Sequence, residues 1–296
     1  MTMEPGLIHL VRWALYVDIG LIFGLPATAM AVGGRYELAR WRGLLIGAGL
    51  ICVPLSIFGF LLNVADMAGV SLNAVDWNLA LTILTSSTLG LAFIARCLAA
   101  LVYSVLMGKG RPNTAMIAGG MAAITLAWSG HGGSSQGALG VVRLIGDMLH
   151  LLAASAWVGA LVLFILTLFS VRPSSGYDAQ RSGALLSAFA LPGTIIVGTL
   201  LLTGISNMLF IAPPSAWPQM AKGSYGRAMF IKLVLFFGML SLATINRFVL
   251  TPRLLEGDGN HAVNVRAAKI SIAAETVAGI AILALVAWLG MLDPAA

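Results

Sequence analysis

Asp147-Met-Leu-His150 places a carboxylate and an imidazole three residues apart in an apolar run, and Trp157 follows two turns later. On a helix, positions i, i+3 and i+7 share a face, so the acid, the imidazole and the indole point the same way. Ionisable groups are costly inside a bilayer, and by default they mark a site or a pathway. Imidazole suits copper, zinc, iron and nickel, and a thioether favours Cu(I). Met148 is therefore a candidate ligand beside His150. Asp147 has two roles open to it: metal ligand, or the carboxylate that orients the His150 ring. A second histidine is similarly placed. Ile8-His9-Leu10-Val11 aligns with Leu149-His150-Leu151-Leu152, and in that register Tyr16 falls on Trp157.

The elements that must hold these groups are membrane helices. Of 296 residues, 59% are hydrophobic and only 9% are charged, with a mean hydropathy of +0.96. A soluble domain carries about 25% charged residues. A spanning helix needs about 20 apolar residues, and eight stretches qualify or nearly do. They are Leu7–Ala31, Leu44–Val64, Leu79–Met107, the short Thr114–Ser129, Val141–Phe169, Leu185–Ile211, Phe230–Leu250 and Ile270–Leu292. The expected fold is all-α, a polytopic membrane protein of about eight transmembrane helices. It forms a single transmembrane domain over residues 1–296, with an N-terminal half 1–139 and a C-terminal half 140–296. The His9/His150 alignment suggests that the halves are parallel four-plus-four repeats about an axis normal to the membrane. No basic segment precedes the first apolar run and no small-residue cleavage site follows it, so that helix is expected to be retained.

Charge sets the orientation. The net charge of +6 does not imply nucleic acid, because the cations sit in short loops between apolar runs. The odd-numbered connections hold eleven of the seventeen Lys and Arg residues, and positive loops stay cytoplasmic. Both termini are then periplasmic in a bacterial inner (cytoplasmic) membrane. His9, His131 and His150 fall at the outer face, and His261 lies in a cytoplasmic polar loop. From the residues alone the candidate metal site is His9, His131 and His150, with Asp147, Met148 and Met208 near them, and the ion is left open among copper, zinc, iron and nickel. The bland alternative gives each histidine a carbonyl or water partner at the interface. Two imidazoles at equal depth would also suit a haem-b electron carrier.

Supporting positions follow from the cost of buried charge. Asp18 and Arg96 lie mid-membrane, either as an ion pair or as steps of an ion path. Glu275 is expected to pair with Arg247, Lys269 or Arg96, or to line an inner exit. Thr203 and Asn207, four residues apart, are expected to glue helices or line the mouth of the site. Lys232 and Arg227 read as cations snorkelling to headgroups. Cys52 and Cys97 lie in apolar runs and read as buried small hydrophobes rather than a disulfide. The chain lacks a nucleophile elbow, a phosphate-binding loop and a Cys-x-x-Cys pair, so it is not expected to be an enzyme.

Four motifs carry a family resemblance: Leu149-His-Leu-Leu-Ala-Ala-Ser-Ala-Trp-Val-Gly159, Thr203-Gly-Ile-Ser-Asn207, Tyr225-Gly-Arg-Ala-Met-Phe-Ile-Lys232 and Asn246-Arg-Phe-Val-Leu-Thr-Pro-Arg-Leu254. Together they resemble the bacterial copper resistance protein D (CopD) family over residues 147–255, and the N-terminal half resembles it in layout. The resemblance implies an inner-membrane protein of copper homeostasis, associated with copper uptake. It also implies a separate small periplasmic copper-binding partner of the copper resistance protein C type. His150 and Asn207 become site residues, with Trp157 supporting them. A non-transporting membrane partner of that periplasmic protein is the other function in view.

Overall fold

The computed structural model describes residues 5–129, 137–170, 176–256 and 260–292. Every regular element among them is helical. Seven helices are long and apolar enough to cross a membrane. We label the principal helices α1 Gly6–Ala31 and α2 Arg42–Ala68, α3 Trp77–Ser86, α4 Thr88–Gly108 and α5 Pro112–Ile124. They continue as α6 Gly137–Phe169, α7 Gly176–Ala188 and α8 Ala190–Ile211. The last two are α9 Ser224–Glu256 and α10 His261–Leu289.

The third apolar run, read as one span from Leu79, is broken at Ser87. That residue is extended, its hydroxyl accepts from the Gly90 N–H and it caps α4. The same hydroxyl donates to the Ile83 carbonyl at 2.6 Å, closing the end of α3. Asp76 caps the start of α3 through the Asn78 N–H. A serine hydroxyl thus satisfies the orphaned groups of two helix ends at once. Other boundaries move as well. Leu185 belongs to the separate helix α7, and α10 starts at His261, nine residues before Ile270.

The fourth run is too short to count among the seven. α5 is followed by a tighter 3₁₀ stretch, Thr125–Ser129. Together these rise about 30 Å, close to the hydrocarbon thickness. α5 packs along α4. The Arg96 guanidinium donates to the Thr125 hydroxyl and carbonyl, so residues 112–129 return antiparallel to α4. This short passage runs back toward the end of the bundle where α4 begins, which brings the two ends of the chain to one face. There α1 meets the end of α10 directly. His9 Nδ1 donates to the Ala287 carbonyl at 3.4 Å, Arg12 to the Gly290 carbonyl and Met291 Sδ, and Trp13 to the Ile280 carbonyl.

α6 is the axle of the bundle. It contacts α1, α5, α8 and α10, and more than half of its spanning window is buried, as in α1. The N-terminal core joins Leu15, Ile19, Ile22, Leu45, Cys52, Tyr103 and Ala122 to Leu163 of α6. On the other side of α6, Trp157 and Leu161 pack with Leu200 of α8 and Met239 of α9. α1 and α6 cross backbone against backbone: a Cβ on Gly24 would lie 1.7 Å from the Ser155 carbonyl oxygen, and one on Gly159 1.9 Å from the Gly24 carbonyl carbon. Such contacts are how membrane helices pack closely without a hydrophobic drive between them. Thr28 locks the crossing by donating to the Ala156 carbonyl at 3.0 Å. By contrast α8 and α9 are mostly exposed; Leu202, Ile205 and Phe230 form part of an apolar face that lipid must cover.

Two wide π turns interrupt the spans, at Gly20–Gly24 in α1 and Asn246–Leu250 in α9. The Leu25 N–H reaches the Gly20 carbonyl, and the Thr251 N–H the Asn246 carbonyl. Each turn is followed two residues later by a proline, Pro26 or Pro252. Proline has no N–H for the carbonyl four residues back, which leaves the local ladder free to widen. The second turn rotates Asn246 into the protein interior, where it is buried.

Candidate functional site

The half of the α6–α8 interface nearer the chain ends holds the polar groups singled out by their spacing. His150 and Thr203 face each other at 2.8 Å, Nδ1 to Oγ1. Thr203 has a single hydroxyl proton, already donated to the Thr199 carbonyl at 2.6 Å. Its oxygen must therefore accept from the ring, which assigns the proton to Nδ1 and leaves the lone pair on Nε2. One turn toward the chain ends, Asn207 stands opposite Gly146: a Cβ on Gly146 would be 3.8 Å from Asn207 Oδ1. That amide oxygen is buried and has no hydrogen-bond partner. Helical spacing thus puts His150 with Gly146 on one helix and Thr203 with Asn207 on the other, in facing pairs. A ring nitrogen with a free lone pair and an unused amide oxygen are two donors for a cation.

Thr203 holds the ring in the position where the sequence suggested Asp147 as the orienting group. The reason is geometric. On α6 the acid sits one turn outward of the ring, whereas the neighbouring helix brings its hydroxyl directly to Nδ1. Lys232 of α9, read as a snorkelling cation, is half-buried and lies within electrostatic range of His150. Met208 is packed with Met220, Tyr225 and Leu289 at the outer end of the bundle, and Met148 is half-buried. Trp157, two turns inward of His150, is 7% exposed and its indole N–H has no partner.

His9 belongs to a different interface, between α1 and α10, through its bond to Ala287. His131 lies outside the described residues. Among the described residues no three His, Cys, Asp or Glu side chains stand together in a way that could hold a metal ion. Cys52 and Cys97 are free thiols.

The supporting charges find partners other than those expected. Arg96 is buried and bonded to Thr125, while Asp18 is buried beside Cys52 with Oδ2 lacking a hydrogen-bond partner. The Asp18–Arg96 pair expected from depth alone is replaced by these contacts, because the 3₁₀ stretch after α5 presents a hydroxyl and a carbonyl to the guanidinium. Glu275 accepts from Asn246 Nδ2 deep in the C-terminal half; both residues are buried. Arg247, one of its expected partners, turns instead to Thr194 at 2.7 Å and to the Ala190 carbonyl. Asn246 was visible in the sequence only as part of the Asn246–Leu254 motif. An amide two turns from Pro252 inside an apolar run was the available signal.

Comparison with known proteins is informative along the whole chain. Residues 2–141 match the copper resistance protein D-like N-terminal domain, and residues 183–289 match copper resistance protein D. Copper resistance protein D of Pseudomonas syringae pv. tomato is 34% identical over 313 aligned positions, covering 99% of this chain and 98% of the relative. The chain belongs to the copper resistance protein D family. Inner membrane protein YebZ of Escherichia coli (strain K12) is 24% identical over 165 residues, 56% of this chain and 55% of that protein. No solved structure matches. His150 lies between the two matched domains, on the helix that joins the halves. The N-terminal half, which resembled the family in layout alone, is matched in sequence as well.

Proposed function

We propose that this copper resistance protein D family member is a non-enzymatic copper carrier of the bacterial inner membrane. It takes the ion from the periplasmic side and passes it toward the cytoplasm. The observation that carries the reading is the His150–Thr203 bond, which leaves an imidazole nitrogen free as a ligand one helical turn from the unpartnered Asn207 oxygen. Buried polar groups almost always find partners, and an unused acceptor one turn from a free lone pair is suited to a cation that enters there. His9 sits on the same face of the bundle as the outer ends of α6 and α8 and serves as a first contact for the ion. A periplasmic copper-binding protein of the copper resistance protein C type is the matching donor.

The test is copper content, measured by mass spectrometry on protein purified in detergent after copper loading, alongside copper accumulation in cells. His150→Ala should lose most of the bound copper and most of the accumulation, and His9→Ala should slow loading with less loss of capacity. Unchanged copper content and accumulation in His150→Ala would end this reading.

A further inference from the structure

The inner half of the C-terminal bundle contains a cavity of about 250 Å³ that the copper reading does not use. It fills the fork between α8 and α9, with α6 and α10 behind. Aromatic side chains wall it: Trp157, Phe164, Phe189 and Phe248. Phe164 and Phe189 meet edge to face at 5.2 Å. Toward the cytoplasmic side Arg247 of α9 bridges the fork to Thr194 and Ala190 of α8. The rim includes Thr194, Thr244 and Phe248, all exposed on the side that lipid covers. A molecule reaching the cavity by that route comes from the bilayer.

Three residues with buried polar groups line this apolar chamber. Glu275, 3% exposed, accepts from Asn246 Nδ2. Asn246, 7% exposed, thereby turns Oδ1 away from Glu275, and that oxygen has no partner. The Trp157 indole N–H, also 7% exposed, is equally unpartnered. Leaving such groups unpaired costs free energy, and a predominantly apolar pocket with a few placed polar groups is the usual form of an organic ligand site. The π turn that aims Asn246 inward is of a kind often found at functional sites.

The inventory selects the ligand. An acyl chain would fill the walls and leave both orphans unsatisfied. An oxidised quinone offers acceptors alone and would serve the Trp157 N–H but not Asn246 Oδ1. A hydroquinone supplies an aromatic ring for the walls, O–H donors for Asn246 and Glu275, and oxygen lone pairs for the Trp157 N–H. We propose that the cavity between α8 and α9 is a binding site for a lipid-soluble hydroquinone entering from the bilayer.

The experiment uses the full-length, metal-free protein in quinone-free lipid nanodiscs, titrated with decylubiquinol and, separately, decylubiquinone. Wild type should bind the reduced ring saturably at one per chain and about tenfold more tightly than the oxidised ring, a difference on the scale of one buried hydrogen bond. Trp157→Phe keeps the wall and removes the N–H, and it should weaken binding several-fold. Thr244→Trp changes only the exposed rim, so its fold is retained, and it should obstruct entry and abolish binding. The proposal is overturned if wild type shows no saturable binding, if both oxidation states bind alike, or if Thr244→Trp binds like wild type. Because the titration is made without metal, its failure leaves the copper reading untouched, and loss of copper binding in His150→Ala leaves this site untouched.

Discussion

At the scale of single residues the decisive group is the Thr203 hydroxyl. It holds no metal, yet its one proton is committed to Thr199, and this fixes which nitrogen of His150 carries the lone pair. Groups that orient a ligating histidine typically matter by about 10–100-fold in metal affinity. Thr203→Ser keeps an acceptor hydroxyl and should bind copper within about twofold of wild type. Thr203→Val keeps the shape, removes the acceptor, and should fall by roughly the full range just given. Copper affinity measured by chelator competition decides between these outcomes, and nitrogen NMR of histidine-labelled protein reports the ring proton directly. Equal affinity in Thr203→Val and wild type would remove Thr203 from the site. His150 and Asn207 could be read from the sequence because polar side chains stand out in an apolar run. The partnership of His150 with Thr203 could not, because it depends on the register between two helices separated by 53 positions.

At the scale of elements, the crossing of α1 on α6 is the joint between the two halves. It is built from absent side chains, Gly24 against Gly159, with Thr28 as the latch. Gly159→Val should force the helices apart and destabilise the protein by at least about 2 kcal/mol, the ordinary cost of inserting methyls into a closed contact. Thermal unfolding in detergent should show this as a fall of several degrees. A melting point unchanged from wild type would mean the contact is looser than its distances imply. The glycines themselves were plain in the sequence, but helix packing in general was all they indicated there. Both π turns were likewise marked in advance only by Pro26 and Pro252. A proline in an apolar run announces a disturbed ladder without stating which side chain the disturbance will aim inward.

At the scale of the whole molecule, the hydropathy pattern alone located the crossings. Apolar length is what a bilayer selects, and it survived translation into helices with shifted ends. The Ser87 break is not legible in the sequence, because Ser and Thr are tolerated within spans and the cap that ends α3 depends on backbone geometry. Closure of the bundle was not legible either. It rests on Arg12 and His9 finding carbonyls at the far end of the chain. Hydrogen bonds between membrane helices are worth about 0.6 kcal/mol on average. Arg12→Ala, which also gives up the contact with Met291, should therefore cost about 1 kcal/mol, read as a modest drop in the unfolding midpoint. A loss above about 3 kcal/mol would show that Arg12 has a larger structural task than joining the ends.

Because the first and last helices clasp at one rim, the amino and carboxyl flanks share a doorstep. A folded module genetically spliced to either flank would stand over the same end of the bundle, making the order of such a fusion interchangeable.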